Sequence, residues 1–220
     1  MTMVSKKTKA FIIDLLTDVF IVVALVLIIR QFVYAPFRVD GSSMCDTFNV
    51  YEGECNQGKG ELILTSRFPT WSVFGFSFSE IDRGDVIVFR APYSDKKEYY
   101  IKRVIGLPGD TIKIEGGLVY FMDEKGDFVE IYEDYLNEDN QGNTNPYHRT
   151  EMTYEVPEGS YFVMGDNRQV SSDSRRCFQS IGCEGDSSNY LDEDLVQGKV
   201  RLVIFPLSHI RWVSGYEYSL

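Results

Sequence analysis

Ser43 is the residue on which a chemical reading of this chain starts. It sits in Asp40-Gly-Ser-Ser-Met-Cys-Asp-Thr-Phe48, two places after Gly41 and directly before Met44. A hydroxyl on such a turn can come close to a substrate, because glycine permits backbone conformations that side chains forbid. To attack, it needs a base. His148 lies in the polar run Asn137–Arg149 and reads as a surface residue, while His209, in Pro206-Leu-Ser-His-Ile, reads as structural. Lysine is the alternative, since burial disfavours the ammonium form and frees a neutral amine. Lys102, in the strand-like Tyr99–Ile105, shares an alternating face with Tyr100 and Val104, while Arg103 faces the other way. That apolar face suits a depressed lysine; an amphipathic strand lysine with its amine in water is the ordinary reading. Ser43 and Lys102 together describe a serine nucleophile with a lysine base, and the stretch around Asp166 supplies supports.

These side chains need a scaffold, and the composition describes one. The chain has 220 residues, a formal charge of -11 and 44% hydrophobic residues, with 14 Tyr and 15 Phe. The acidic balance argues against nucleic acid, which favours a basic face, and abundant aromatics fit β structure. Short apolar or alternating runs recur at 61–66, 86–89, 99–105, 111–114, 118–122, 128–131, 161–164 and 200–205, separated by turn sequences such as Arg83-Gly84-Asp85 and Leu107-Pro108-Gly109-Asp110. Little amphipathic helix lies between them. The expectation is a mainly β fold: a single N-terminal transmembrane helix followed by an all-β domain of antiparallel sheets. The aromatic stretch Phe68–Phe78 reads as a hairpin with Gly75 near its middle, packed in the core or dipping into a membrane interface. Residues 137–149 read as a solvated polar excursion.

Phe11–Val33 is about as long as a bilayer core is thick, and Lys6, Lys7 and Lys9 precede it. Asp14 and Asp18 are costly in lipid and belong near the cytoplasmic interface. The positive-inside rule then predicts a cytoplasmic N-terminus and an extracytoplasmic remainder. A cleavable leader ending at Val33-Tyr34-Ala35 is the rival, but Pro36 follows directly and the apolar run is long, so an uncleaved anchor over 1–35 and an exported domain over 36–220 are expected. Cys45, Cys55, Cys177 and Cys183 are an even set for an oxidising compartment; spacing does not choose among their three connectivities, although the two local pairings close short loops. A zinc site lacks its usual C-x-x-C spacing, and neither metal nor cofactor is implied.

Four ordered stretches carry a resemblance: Ser43-Met44; Arg83-Gly84-Asp85-Val86; Lys102-Arg103-Val104-Ile105-Gly106-Leu107-Pro108-Gly109-Asp110; and Gly165-Asp166-Asn167-Arg168 with Ser171, Asp173, Ser174 and Arg175. Behind a membrane segment and ahead of Phe205-Pro206-Leu207, they resemble the motifs of type I signal peptidases over nearly the whole chain. The resemblance implies a membrane-anchored serine endopeptidase that removes signal peptides from exported preproteins through an acyl-enzyme. It makes Ser43 the nucleophile and Lys102 the general base. Ser171 orients the lysine, Gly165 lies close to the dyad, and Asp173 and Arg175 form a supporting ion pair. Met44 lines the pocket for the small residue before the cut, and the substrate binds as an extended strand. Exported preproteins and membrane lipid are the implied partners.

The chain departs from the pattern in three places. Asp46-Thr47-Phe48 stands where Pro-Thr-Leu is usual, so a Cys45–Cys55 disulfide is a candidate to hold the turn instead. Gly41 replaces a serine that some members use toward the oxyanion, and Gln169-Val170 interrupts a more polar pair. Two other readings compete: a self-cleaving repressor of the same Ser-Lys fold, which would carry a DNA-binding module in place of the anchor, and a catalytically weak tethered relative that binds or helps assemble exported proteins.

Overall fold

The computed structural model describes residues 6–28, 34–56, 60–66, 72–73, 76–77, 81–94, 96–180 and 182–218. Helix α1, Lys6–Ile28, opens the chain. Within it Thr8–Leu27 is long and apolar enough to cross a membrane, and none of that span is buried against the rest of the protein. At 1.5 Å per residue the helix is about 35 Å long, enough for a bilayer core. The helix includes lysines ahead of Phe11, because Lys and Ala are good helix formers. Residues 29–33, the end of the predicted span, lie outside the described residues.

Among the described residues after the helix, the regular structure is β strands and short 3-10 turns. The larger sheet runs β1 (Tyr34–Arg38), β4 (Leu62–Ser66), β15 (Val196–Phe205), β7 (Val86–Arg90), β8 (Tyr99–Gly106), β13 (Ser160–Met164) and β14 (Leu191–Asp192), with β16 (Arg211–Trp212) also pairing β15. The smaller sheet is β11 (Phe128–Glu130), β10 (Leu118–Met122), β9 (Thr111–Glu115) and β12 (Glu151–Glu155). Their pairings are antiparallel. Two ribbons complete the set: β2 (Val50–Tyr51) with β3 (Glu54–Cys55), and β5 (Ser72–Val73) with β6 (Phe76–Ser77). The last pair is the described part of the aromatic hairpin; Gly75 and its other flanks lie outside the described residues.

Alternation sets the packing. In β9 Ile112 and Ile114 point inward, joining Ile105, Val119, Phe121, Tyr154, Phe162 and Met164 between the two sheets. A second cluster gathers Val39, Met44, Phe48, Ile63, Val86, Val88, Val200 and Val203 beneath the turn that carries Ser43. Each such side chain, moved from water to a packed interior, contributes about 1.5–3 kcal/mol. The turn is therefore seated on the core through Met44 and Phe48, which are buried.

Residues 137–149 form a largely exposed excursion that is pinned to the protein at a few points. The segment makes no strand beyond a bridge between Thr144 and Gly117, yet Asn140, Thr144 and Pro146 are buried. The buried Asn140 and Thr144 reach protein partners instead of water, which composition alone does not distinguish. His148 is exposed as expected, with a left-handed backbone.

Candidate active site

Ser43 stands on a compact turn after β1. The Met44 carbonyl accepts from the N–H groups of Asp46, Thr47 and Phe48, and the Ser42 carbonyl from that of Cys45. Asn49, itself at positive φ, closes the turn: its amide donates to the Val39 carbonyl at 2.8 Å and its oxygen accepts from the Glu61 N–H at 2.8 Å. Glu61, fully buried, accepts from Arg211 at 2.7 and 2.9 Å, and Arg211 also donates to the Thr47 carbonyl.

Lys102 comes to Ser43 from β8, where it pairs in register with Ile87 of β7. Its Nζ lies 2.7 Å from Ser43 Oγ and donates to the Ile101 carbonyl at 2.9 Å. The Tyr100 ring lies 5.6 Å away on the same strand. Lys102 is 4% exposed. Burial is the leading influence on its amine and pushes it down to about 8; Asp173 and Asp166 draw it back up, and Arg175 pushes it further down. A lysine whose depressed amine supplies a ready neutral fraction near physiological pH, in contact with a serine hydroxyl, can take that proton.

The second half of the site follows β13. The Asn167 N–H donates to the Ser43 carbonyl at 3.1 Å, fixing the backbone of the serine. Gly165 is packed so closely that a β-carbon would collide with the Ser43 carbonyl and with Ser171 Oγ. Its N–H donates to Asp173 Oδ2 at 3.0 Å. Asp173 and Arg175 form a buried two-pronged pair, Nε to Oδ1 at 3.0 Å and Nη2 to Oδ2 at 2.8 Å. Burial would raise the Asp173 carboxyl, but the Arg175 guanidinium and the Gly165 N–H outweigh it and hold it below the ordinary range. Ser171 is buried beside these groups, and its hydroxyl helps to favour the Asp173 carboxylate. It makes no hydrogen bond to Lys102; its Oγ has no partner of good hydrogen-bond geometry.

Arg103, on the opposite face of β8, is buried as well. It clasps Asp166 through Nε at 2.9 Å and Nη2 at 2.7 Å, and donates to Thr47 Oγ1 at 3.0 Å. Thr47 donates in turn to Asp166 at 2.5 Å. Cys45 is disulfide-bonded to Cys55 and Cys177 to Cys183. Asn49, Glu61, Arg103, Thr47 and Arg211 were not singled out for the site by residue pattern: their partners lie far away in sequence.

A cleft of about 110 Å³ lies between β1 and the start of β8, the strand that carries Lys102. It is lined by Phe37, Val39 and Asp40 around β1, by Ile63 and Val88, and by Tyr99, Tyr100 and Ile101 of β8. The rings of Phe37 and Tyr99 meet edge to face across it, 5.2 Å apart. Met44 packs in the cluster beneath, against the layer that includes Val39, Ile63 and Val88, and does not line the cleft itself. Among the described residues no group of three or more His, Cys, Asp or Glu is placed to hold a metal ion.

The family model described as signal peptidase, peptidase S26, matches residues 12–205. Signal peptidase I P of Bacillus subtilis subsp. natto is 32% identical over 214 residues, covering 94% of this chain and 96% of its own length. Signal peptidase I of Bacillus licheniformis is 32% identical over 217 residues, covering 94% and 95% respectively. A crystal structure of a signal peptidase I from Enterococcus faecalis is 30% identical, covering 56% of this chain and 98% of its own, with a TM-score of 0.40.

Proposed function

The chain belongs to the signal peptidase family, peptidase S26, and from that premise we propose that it cleaves signal peptides from exported preproteins with Ser43 as nucleophile and Lys102 as general base. The observation that carries this reading is the 2.7 Å approach of Lys102 Nζ to Ser43 Oγ, by an amine that burial holds near 8. Neutral Lys102 accepts the Ser43 proton as Oγ bonds to the scissile carbonyl carbon. The backbone N–H of Ser43 is the donor assigned to the oxyanion. Collapse breaks the carbon–nitrogen bond, the lysine ammonium protonates the leaving amine, and the signal peptide remains as an ester on Ser43. Lys102 then takes a proton from water, whose oxygen attacks the ester and returns Oγ.

Gly165, Asp173, Arg175 and Ser171 act as the support of this dyad. The ion pair fixes the segment, and its carboxylate tempers the fall of the lysine pKa. The cleft between β1 and β8, small and largely apolar in its lining, is the place we assign to small residues of an extended peptide, with Met44 in the layer below. Helix α1 serves as the anchor, residues 1–35 forming the membrane part with a cytoplasmic N-terminus and 36–220 the extracytoplasmic catalytic domain. The exposed side chains of Phe205, Leu207, Ile210 and Trp212 form an apolar surface suited to contact with lipid. Confinement of enzyme and substrate to one surface raises their effective concentration.

The test is cleavage of a preprotein bearing an Ala-X-Ala site by the full chain in liposomes, beside Ser43→Ala and Lys102→Ala. Cleavage at that site by the wild type alone is expected. Cutting by Ser43→Ala would overturn the assignment, and a folded but inert wild type would favour a tethered binding protein.

A further inference from the structure

Three consecutive residues after the nucleophile each tie the turn to a different part of the protein. Cys45 is bonded to Cys55 of β3, and Thr47 joins Asp166 and Arg103. Asp46 reaches the excursion: its carboxylate accepts from the Asn137 N–H at 3.0 Å, and both its oxygens accept from the Asn140 amide nitrogen, Oδ1 at 3.2 Å and Oδ2 at 3.0 Å. The Asn140 oxygen accepts the Arg168 N–H at 2.8 Å, and Asn140 itself is 3% exposed. Arg168 is buried and extends the chain of bonds in both directions. Its Nε donates to the Gly165 carbonyl at 3.0 Å, its carbonyl accepts from Arg175 at 2.9 Å, and its guanidinium holds Glu133 and Thr144 of the segment leading into and through the excursion. Gln169 adds a bond to the Asp139 carbonyl at 2.7 Å. One continuous path of hydrogen bonds thus runs from the residue three places after Ser43 to the segment bearing Gly165, Ser171, Asp173 and Arg175.

We propose that Asp46 and Asn140 form a latch by which the 137–149 excursion sets the position of the nucleophile turn against the 165–175 support. This rests on the reading of Ser43 and Lys102 as the catalytic dyad. Asp46 is a positioning residue, acting through the turn and touching no substrate. A turn without proline has one backbone torsion per residue left free that proline would fix. Here the carboxylate supplies the restraint from outside, with three contacts to it from two donor nitrogens on one loop. Charge-assisted acceptance of this kind is stronger than neutral pairing. The chemistry also explains why an acid is suited to this place: the groups of the excursion that bond the side chain are donors, and Asn140 has already committed its oxygen to Arg168.

That inventory provides a test that a generally destabilising substitution does not mimic. In Asp46→Ala the latch is lost, and kcat is expected to fall about tenfold or more with KM changed little, since small misplacement of reacting groups costs rate rather than binding. Asn140→Asp sets two carboxylates against each other and is expected to do the same. The reciprocal double variant, Asp46→Asn with Asn140→Asp, relieves the carboxylate pair and rebuilds the link across the latch, giving up the Asn140 Nδ2 bond to Asn137 Oδ1: the new amide donates to the carboxylate at 140, its oxygen accepts from the Asn137 N–H, and Arg168 N–H still has its acceptor. Recovery to within about threefold of wild-type kcat is expected. Each rate is measured on the full chain in detergent with an Ala-X-Ala preprotein and taken per folded molecule, the folded fraction coming from near-UV circular dichroism. Unchanged kcat in Asp46→Ala, or a double variant no better than the singles, overturns the latch. Ser43→Ala is run alongside: if it is dead while Asp46→Ala is unimpaired, the latch alone fails, and if it still cuts, the dyad reading fails.

Discussion

Replacing Lys102 by Met removes a buried amine from the folded chain while keeping most of its volume, and the structure says how stability must respond. In the folded protein the amine is held at about 8 by burial; in the unfolded chain it takes the ordinary value of about 10.4. At about 1.36 kcal/mol for each tenfold difference, that depression costs folding about 3 kcal/mol at pH 7. Between pH 8 and 10.5 the unfolded chain holds a proton that the folded chain does not. Wild-type stability therefore rises with pH through that window, and the cost is complete below it. Lys102→Met is free of this cost, but loses the bonds to Ser43 Oγ and the Ile101 carbonyl, worth about 1 kcal/mol each. The variant should be more stable than wild type by about 1 kcal/mol at pH 7 and less stable by about 2 kcal/mol at pH 10.5, with a crossover between. Urea unfolding of the full chain in non-ionic detergent, followed by tryptophan fluorescence at pH 7 to 10.5, reads this directly. A difference that does not vary with pH would refute a buried, depressed lysine.

Gly165→Ala places a β-carbon against the Ser43 carbonyl and Ser171 Oγ; kcat for Ala-X-Ala preprotein cleavage should drop about a hundredfold, with about 1–3 kcal/mol lost in urea unfolding. Removing the Cys45–Cys55 bond, whose partners are 10 residues apart, with Cys45→Ala/Cys55→Ala should cost about 2.7 kcal/mol by loop entropy. The same variant should cleave more slowly, because the bond begins two residues after the nucleophile; undiminished stability and activity would mean that it does not hold the turn.

Much of the frame could be read before any coordinates, and the reason is periodicity. Strand β8 announces itself by alternation, and the same alternation puts Lys102 with Tyr100 and Val104 on a face the structure buries. The turn sequences likewise bracket β7, β9 and β10 closely. Strand β12, Glu151–Glu155, escaped notice because its polar residues mask the single buried Tyr154. What stayed hidden at the site is polar and distant in sequence. Arg103 with Asp166, Glu61 with Arg211, and Asp46 with Asn140 are pairings of ordinary surface residue types, and no local pattern says that they meet. The excursion is the sharpest case: Asn137–Arg149 has the composition of a loop in water, yet Asn140 and Thr144 are spent on Asp46 and Arg168. Ser171 shows the limit of motif transfer, since its hydroxyl lies among the support groups but does not bond Lys102.

The pH dependence of kcat/KM tests the central claim most directly, because it reports the ionisation of the base in the free enzyme. Measured from pH 6 to 10 on an Ala-X-Ala preprotein, it should rise about tenfold per pH step at the acid end and level off with a midpoint near 8, as Lys102 loses its proton. A profile that is flat across this range, or one with its midpoint near the ordinary histidine value of about 6.5, would contradict a neutral Lys102 as the base that activates Ser43.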